Sequence, residues 1–218
     1  MSGSMQLNIP TQTDPRAGRV FGVVILAAGA SSRMGRPKLL LPWGTTSILG
    51  YLIEQWQRLG ARQIAVVHAG GDSAIHRELD RLRTSADERV ANPAPDRGMF
   101  SSIQCAAAWH GWNSELTHLA IALGDQPHLR DGTLRELVDF AAANPEKVCQ
   151  PSRQGRRRHP VLLPRPVFER LKTCVSTDLK QFLLGETVAT HELDDPALEF
   201  DIDVPADYEK AVRLFLKP

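Results

Sequence analysis

The feature that most restricts this chain is the run from Val20 to Ala27, VFGVVILA, which has no polar side chain. A strand with one face toward water alternates, so a strand with no polar position belongs in the middle of a parallel sheet covered by helices on both faces. The run is too short to cross a bilayer, which takes roughly 20 apolar residues, and Leu119 to Leu123 is shorter still.

From Val20 onward, β-branched runs alternate with segments of helical period, the pattern of strands joined by crossover helices. Ser47 to Leu59 places Ile48, Leu49, Leu52, Ile53, Trp56 and Leu59 on one face, with Thr46 or Ser47 as cap and Gly60 as stop. Gln63 to His68 reads as a strand. Asp72 or Ser73 then caps a helix turned inward through Ile75, Leu79 and Leu82. Arg89 to Ala91 is a brief strand, Asn92 to Gly98 a breaker-rich loop, and a helix begins near Ser101 and carries Trp109. Leu119 to Leu123 is a buried strand, Asp131 caps a helix bearing Leu134, Leu137, Val138 and Ala141, and Lys147 to Pro151 returns to the sheet. Residues 152–158, SRQGRRR, read as a polar basic loop. Pro160 to Leu163 and Val188 to Leu193 are strands, with short helices at Phe168 to Leu171 and Leu179 to Leu184. An extended acidic segment, Phe200 to Val204, precedes a helix starting near Pro205. The expected class is α/β, a single Rossmann-like three-layer domain with a mostly parallel central sheet.

Composition removes several functions. With 26 basic and 25 acidic residues the formal charge is +1, so nothing draws the chain to nucleic acid in bulk. Cys105, Cys149 and Cys174 form no CxxC pair, which argues against a disulfide scaffold, a thioredoxin-type site and a zinc ribbon, and for a reducing cytoplasm. His68, His76, His110, His118 and His191 share no metal-ligand spacing. Met1 to Met5 read as a tag remnant. Residues 1–19, lacking periodicity or a signal-peptide core, are expected to be disordered, leaving 20–218 as one domain.

The chemistry sits between the first strand and the first helix, in Leu26-Ala27-Ala28-Gly29-Ala30-Ser31-Ser32-Arg33-Met34-Gly35-Arg36-Pro37-Lys38. Loops at the carboxyl ends of parallel strands line the ligand crevice of open α/β sheets. Small residues let the backbone approach phosphate closely, and their N–H groups can form an anion nest. Arg33 and Lys38 add two cations. Neither GxxxxGK[ST] nor GxGxxG is present, so a P-loop kinase and a nicotinamide dehydrogenase both lose support.

This segment resembles the opening signature of the MobA-like nucleotidyltransferases, and more closely that of their molybdenum cofactor cytidylyltransferase branch. Further matches follow in order: Asn92-Pro93 with Gly98-Met99 and Ser101-Ser102, then Gly124-Asp125-Gln126-Pro127, His159-Pro160 and Asp201-Ile202-Asp203-Val204-Pro205. The resemblance covers nearly everything from Val20 onward. Phe100 intrudes before the serine pair, and Arg158 precedes His159 where the family usually has Gly-His-Pro.

The resemblance implies a fold of the nucleotide-diphospho-sugar transferase type and makes 20–218 a nucleotidyltransferase domain. It places Leu26, Ala27, Ala28, Gly29, Ser32, Arg33, Lys38, Asn92, Gly98, Ser101 and Ser102 against the nucleotide, and His159 on the acceptor side. Arg33, Lys38 and Asp125 become the catalytic set, with Asp125 and Asp203 holding Mg²⁺. The implied reaction moves CMP from CTP, or a nucleotide from another NTP, to a phosphate-bearing acceptor, molybdopterin or its molybdenum-loaded form, and releases pyrophosphate. The acidic turn GDQP favours CTP over the guanine-nucleotide branch. Because the acceptor phosphate is already ionised, no histidine is required as general base.

Blander readings stand beside these. Asp125 before Gln126-Pro127 is also a turn residue, and Lys38 alone reads as a solvated lysine. Asp201 and Asp203 share a face of an extended stretch, and either one can instead cap the helix that follows. Arg156 to Arg158 are a solvated loop or a holder of the acceptor phosphate. A sugar phosphate as acceptor keeps the fold, while a noncatalytic nucleotide-binding accessory of a molybdoenzyme would not need both acidic segments.

Overall fold

The structure, a computed structural model, describes residues 20–216. The expectation for residues 1–19 lies outside the described residues. The chain runs through β1 (Phe21–Leu26), β2 (Pro42–Trp43), β3 (Thr46–Ser47), α1 (Ile48–Arg58), β4 (Gln63–Ala69), α2 (Ser73–Arg81), β5 (Arg89–Asn92), α3 (Met99–Ala108) and β6 (His118–Leu123). It continues through α4 (Asp131–Ala143), β7 (Val148–Arg153), β8 (Arg156–Arg157), β9 (Val161–Pro164), α5 (Arg165–Arg170), α6 (Leu179–Leu183), β10 (Val188–Glu192) and α7 (Pro205–Phe215).

The main sheet has the order β10-β7-β9-β6-β1-β4-β5, with β8 paired to β7. β1 is buried at every position and lies parallel to both neighbours, with Leu26 opposite Val67 of β4 and Leu123 of β6. The β4–β5 and β7–β10 ladders are also parallel, while β9 runs antiparallel to β6 and β7. The apolar run therefore folds as expected, because β1 feeds two cores. Val23 and Ile25 face α1, α2, α4 and α7, and Val24 and Leu26 face α3, α5 and α6. Fully burying each such side chain contributes about 1.5–3 kcal/mol. The strand order reverses beside β1, where sequence-adjacent strands depart to opposite sides, and an open α/β sheet binds its ligands at that point.

Local chemistry fixes the elements next to this point. Ser47 caps α1 by accepting from the Gly50 N–H at 3.0 Å, and its hydroxyl donates to Glu78 of α2, tying the two helices together. Asp72 caps α2 by accepting from the N–H groups of Ala74 and Ile75.

Four expectations need correction. Residues 152–158 are not an open loop: β7 and β8 form a hairpin whose turn residues, Gln154 (φ 52°) and Gly155 (φ 72°), both take the left-handed conformation of a two-residue I′ turn. Asp131 does not cap α4; it is the first helical residue, and its carboxylate accepts from Gln55 and Arg58 of α1. α3 starts at Met99, two residues early, and ends before Trp109, whose extended backbone forms the C-cap. The helix placed at Phe168 to Leu171 starts earlier, as α5, with Leu171–Thr173 forming a separate 3-10 turn.

Candidate functional site

The carboxyl ends of β1, β4 and β6 open into a crevice of about 430 Å³. One wall is the loop after β1. Ala27 is tied to the sheet by its N–H to the Val67 carbonyl, 2.7 Å, and the far end of the loop is pinned by Met34, whose side chain is buried in the core. Between these anchors, Ser31 is left-handed (φ 50°), and its Oγ accepts from the Lys38 N–H at 3.2 Å, folding the segment back on itself. Among the described residues, the N–H groups of Ala28, Gly29 and Ala30 donate to no protein acceptor. Leu26, Ala27, Ala28, Gly29 and Lys38 all line the crevice.

The opposite wall is the turn after β6. An added Cβ at Gly124 would lie 2.7 Å from the Leu26 carbonyl oxygen, so only glycine lets the β6 end come this close to β1. Asp125 follows at the floor. Its carbonyl accepts from the Ile202 N–H at 3.2 Å, and Gln126 donates its side-chain amide to Asp201 Oδ1 at 2.9 Å, so the turn and the acidic tail segment are bound together. Ile202 is fully buried and directs Asp201 and Asp203, its neighbours, away from the core. Asp207, in the first turn of α7, accepts from the N–H groups of Asp203 and Val204 at 3.1 Å each and holds the backbone there.

The three segments meet at Lys38. Its ammonium donates to Asp125 Oδ2 at 3.1 Å and to the Ile202 carbonyl at 2.9 Å, with Asp203 Oδ1 3.8 Å away. Arg33, largely exposed on the 3-10 turn Ser32–Met34, pairs with Asp203 Oδ2 at 3.1 Å. Two residues of the opening loop thus face two carboxylates that lie far along the sequence. The other oxygen of Asp125, Oδ1, is buried without a hydrogen-bond partner. A half-buried carboxylate with a spare oxygen, next to a second carboxylate, suits Mg²⁺, which takes one or two protein carboxylates together with phosphates and water. Among the described residues, no group of three or more His, Cys, Asp or Glu comes together that could hold a metal ion.

The remaining expected residues divide. Gly98 and Ser102 line the crevice beside the start of α3. Ser32, Arg33, Asn92 and Ser101 do not line it. Asn92, at the end of β5, is buried and donates to the hydroxyls of both Ser101 and Ser102, at 2.8 and 2.9 Å, while its Oδ1 accepts from the Ala94 N–H. Its amide is fully engaged inside the protein, so Asn92 shapes the loop and leaves its serine partner to face the crevice. His159 lies near Asp125 and Asp201. Burial holds its imidazole below the ordinary histidine pKa against the pull of those carboxylates, and Nδ1 is buried without a partner.

Several site features are invisible in the sequence pattern. Gln126 and the Ile202 carbonyl act through tertiary pairing, which no local spacing encodes. His128, directly after the GDQP turn, is buried between Phe200 and Phe215 with Nε2 3.1 Å from the Ala197 carbonyl, so it anchors the tail to the turn. Its position beside the acidic turn was the available signal. Two further hollows lie beside the first residues of β1 and β6, at the opposite edge of the sheet.

Comparison with known proteins gives a consistent answer. The family described as MobA-like NTP transferase domain matches residues 23–191. The molybdenum cofactor cytidylyltransferase of Escherichia coli (strain K12) is 26% identical over 186 residues, covering 85% of this chain and 92% of that protein. The crystal structure of Rv0371c from Mycobacterium tuberculosis H37Rv superposes with a TM-score of 0.71 at 25% identity, covering 90% of this chain and 99% of that one. A nucleotidyl transferase from Methanothermobacter thermautotroptrophicus shares the fold at a TM-score of 0.73 and 20% identity, covering 91% and 99% of the two chains. Among the described residues, no helix is long and apolar enough to cross a membrane.

Proposed function

Since the chain belongs to the MobA-like NTP transferase family, and is thereby a nucleotidyltransferase of that fold, we propose that it transfers CMP from CTP to molybdopterin or its molybdenum-loaded form with Mg²⁺ as cofactor. The observation that carries this reading is the meeting of Lys38, Asp125 and Asp203 at the mouth of the crevice. The likeness to the E. coli cytidylyltransferase, spanning most of both chains, supports the acceptor and the nucleotide. A reducing cytoplasm suits both.

In this reading the N–H groups of Ala28, Gly29 and Ala30 receive the triphosphate, with Lys38 and Arg33 neutralising its charge. Asn92 keeps Ser101 and Ser102 in place, and Ser102 and Gly98 border the ribose and base. Asp125 and Asp203 would hold the metal, which would supply positive charge to offset the charge of the reacting phosphates. An anionic oxygen of the acceptor's phosphate forms the new bond to the α-phosphorus, the bond from that phosphorus to the bridging oxygen breaks, and pyrophosphate carries the charge away. No proton need be removed, so the chain's contribution is alignment and charge compensation. His159 sits on the acceptor side of Asp125 in neutral form, as a hydrogen-bonding group and not a base.

The test is pyrophosphate release with each of the four NTPs, with and without molybdopterin. Release that requires both CTP and molybdopterin supports the reading. Release with a sugar phosphate in place of molybdopterin keeps the enzyme class and changes the acceptor. Nucleotide binding without release under any of these conditions defines a noncatalytic accessory protein.

A further inference from the structure

Resting on the function just proposed, we infer that the Lys38 ammonium fills the cation position between Asp125 and Asp203 until substrate arrives, so that this lysine and a divalent metal exclude one another and the metal must displace it onto the nucleotide's phosphates. The oxygens that surround Nζ are Asp125 Oδ2 at 3.1 Å, the Ile202 carbonyl at 2.9 Å and Asp203 Oδ1 at 3.8 Å. They come from two separate segments and are the hard oxygen donors that Mg²⁺ selects. An ammonium has three donors and no acceptor, and two of its three are used here. A metal bound at about 2.1 Å to Asp125, whether through Oδ2 or through the spare Oδ1, would stand within a few ångströms of the Lys38 ammonium, a second full positive charge, where the Lys38 and Asp125 side chains are only 17% and 24% exposed.

The lysine has somewhere to go. Its backbone N–H is held by Ser31 Oγ, so its main chain belongs to the phosphate-facing loop while its side chain reaches across to the carboxylates. Lys38 also lines the crevice, and four flexible methylenes let Nζ turn from one to the other. Arg33 repeats the arrangement on the exposed side by pairing with Asp203. The two cations that should receive triphosphate are therefore paired with the two carboxylates that should receive metal. Metal alone must evict Lys38 without giving it a new partner, and nucleotide alone must pull Lys38 off a carboxylate left bare. Arriving together, they exchange partners in one step, and each raises the affinity for the other by linkage.

The experiment is a Mn²⁺ titration of the nucleotide-free full chain, read by loss of the free Mn²⁺ paramagnetic resonance signal. Wild type, Lys38→Met, Lys38→Gln and the double variant Lys38→Met with Asp125→Asn are compared, each with its melting curve. The expected result is Mn²⁺ binding about tenfold tighter in the Met variant than in wild type, within the range of such couplings. The Gln variant should tighten in the same direction, and the double variant should lose the gain. Mn²⁺ affinity equal to or weaker than wild type in whichever single variant melts normally overturns the exchange, as does a gain that survives Asp125→Asn. Pyrophosphate release by wild type, measured on the same preparation, judges the proposed function separately: an active wild type with no tightening in the variants sinks only the exchange.

Discussion

The side-chain amide of Gln126 donates to Asp201 Oδ1 at 2.9 Å, across a separation of 75 residues, and so couples the turn after β6 to the acidic segment before α7. Gln126 is buried, and the Ile202 N–H reaches the carbonyl of its neighbour Asp125. The position of Asp203 relative to Asp125 depends on this tie. Gln126→Ala should cost about 1–2 kcal/mol of stability through the lost bond and the exposed polar partner. The metal concentration for half-maximal turnover should rise more than the KM for CTP. A metal dependence identical to wild type would show that Asp203 is held by other contacts.

Removing either charged partner at the meeting point should stop chemistry without unfolding the chain. Asp125 and Lys38 side chains are 24% and 17% exposed, and neither belongs to an apolar cluster. Asp125→Ala is expected to abolish pyrophosphate release while keeping a cooperative melt. Lys38→Ala is expected to lose about 3 kcal/mol of transition-state stabilisation, the effect of deleting one preorganised donor, or roughly two orders of magnitude in kcat/KM. Unchanged release from the Asp125 variant would falsify its assignment, and a less than twofold change for Lys38→Ala would remove it from the reaction.

The fold was legible wherever burial leaves a periodic trace. β1 and β6, sealed on both faces, carry no polar position in their centres, and α1 shows its apolar face and its Ser47 cap directly. The β7–β8 hairpin left no such trace, because β8 is only two residues long, both exposed arginines, and its turn is set by the backbone conformations of Gln154 and Gly155. The direction of β9 was equally hidden, since parallel and antiparallel neighbours bury the same kind of side chain. At the site, the opening loop and the acidic turn were readable as motifs. The ties made by Gln126, His128 and Asp207 were not, because each joins segments through tertiary hydrogen bonding. Asp131 shows the opposite error, a residue of capping type used instead to hold Gln55 and Arg58.

Asn92 offers a test of loop shaping apart from ligand contact. Replacing it with Ala removes donors to Ser101 and Ser102 and the acceptor for Ala94 N–H, all in a buried setting. A loss of about 2–3 kcal/mol is expected, since buried partners are left unpaired. The KM for CTP should rise with it. Asn92→Asp keeps the acceptor but not the donors and should recover only part of the stability. A melting temperature within about 1 °C of wild type for the Ala variant would show that the serines find other partners.

Acid should destabilise the protein through three histidines. Burial is the largest cause holding the pKa values of His68, His128 and His159 below the ordinary one. A folded-state pKa below the unfolded value means that the unfolded chain binds protons first, so the neutral imidazoles add full stability above about pH 6.5. That stability is lost as pH falls below this value, by up to about 1.4 kcal/mol per pH unit for each histidine held neutral. Melting temperature should therefore drop on going from about pH 7.5 to about pH 5.5. His128→Gln, which keeps a donor for the Ala197 carbonyl without titrating, should flatten the slope. A profile as steep as wild type in that variant would place the pH dependence elsewhere.

Two glycines at the crevice separate packing from ligand approach. At Gly124 an added Cβ would lie 2.7 Å from the Leu26 carbonyl and 2.8 Å from a Leu39 methyl, and the first of these is backbone that cannot rotate away. Gly124→Ala must part the ends of β1 and β6, where Lys38 and Asp125 meet, so it should lose about 1–3 kcal/mol of stability and nearly all turnover. At Gly29 an added Cβ meets nothing within 4 Å, and the backbone is not left-handed, so Gly29→Ala should melt like wild type. If phosphate approaches the N–H groups of this loop, the same methyl group stands in its path. The KM for CTP should then rise by about tenfold or more, the cost of one displaced charge-assisted contact. A Gly29→Ala variant that melts and turns over as wild type would move the triphosphate away from this loop, whatever the behaviour of Gly124→Ala.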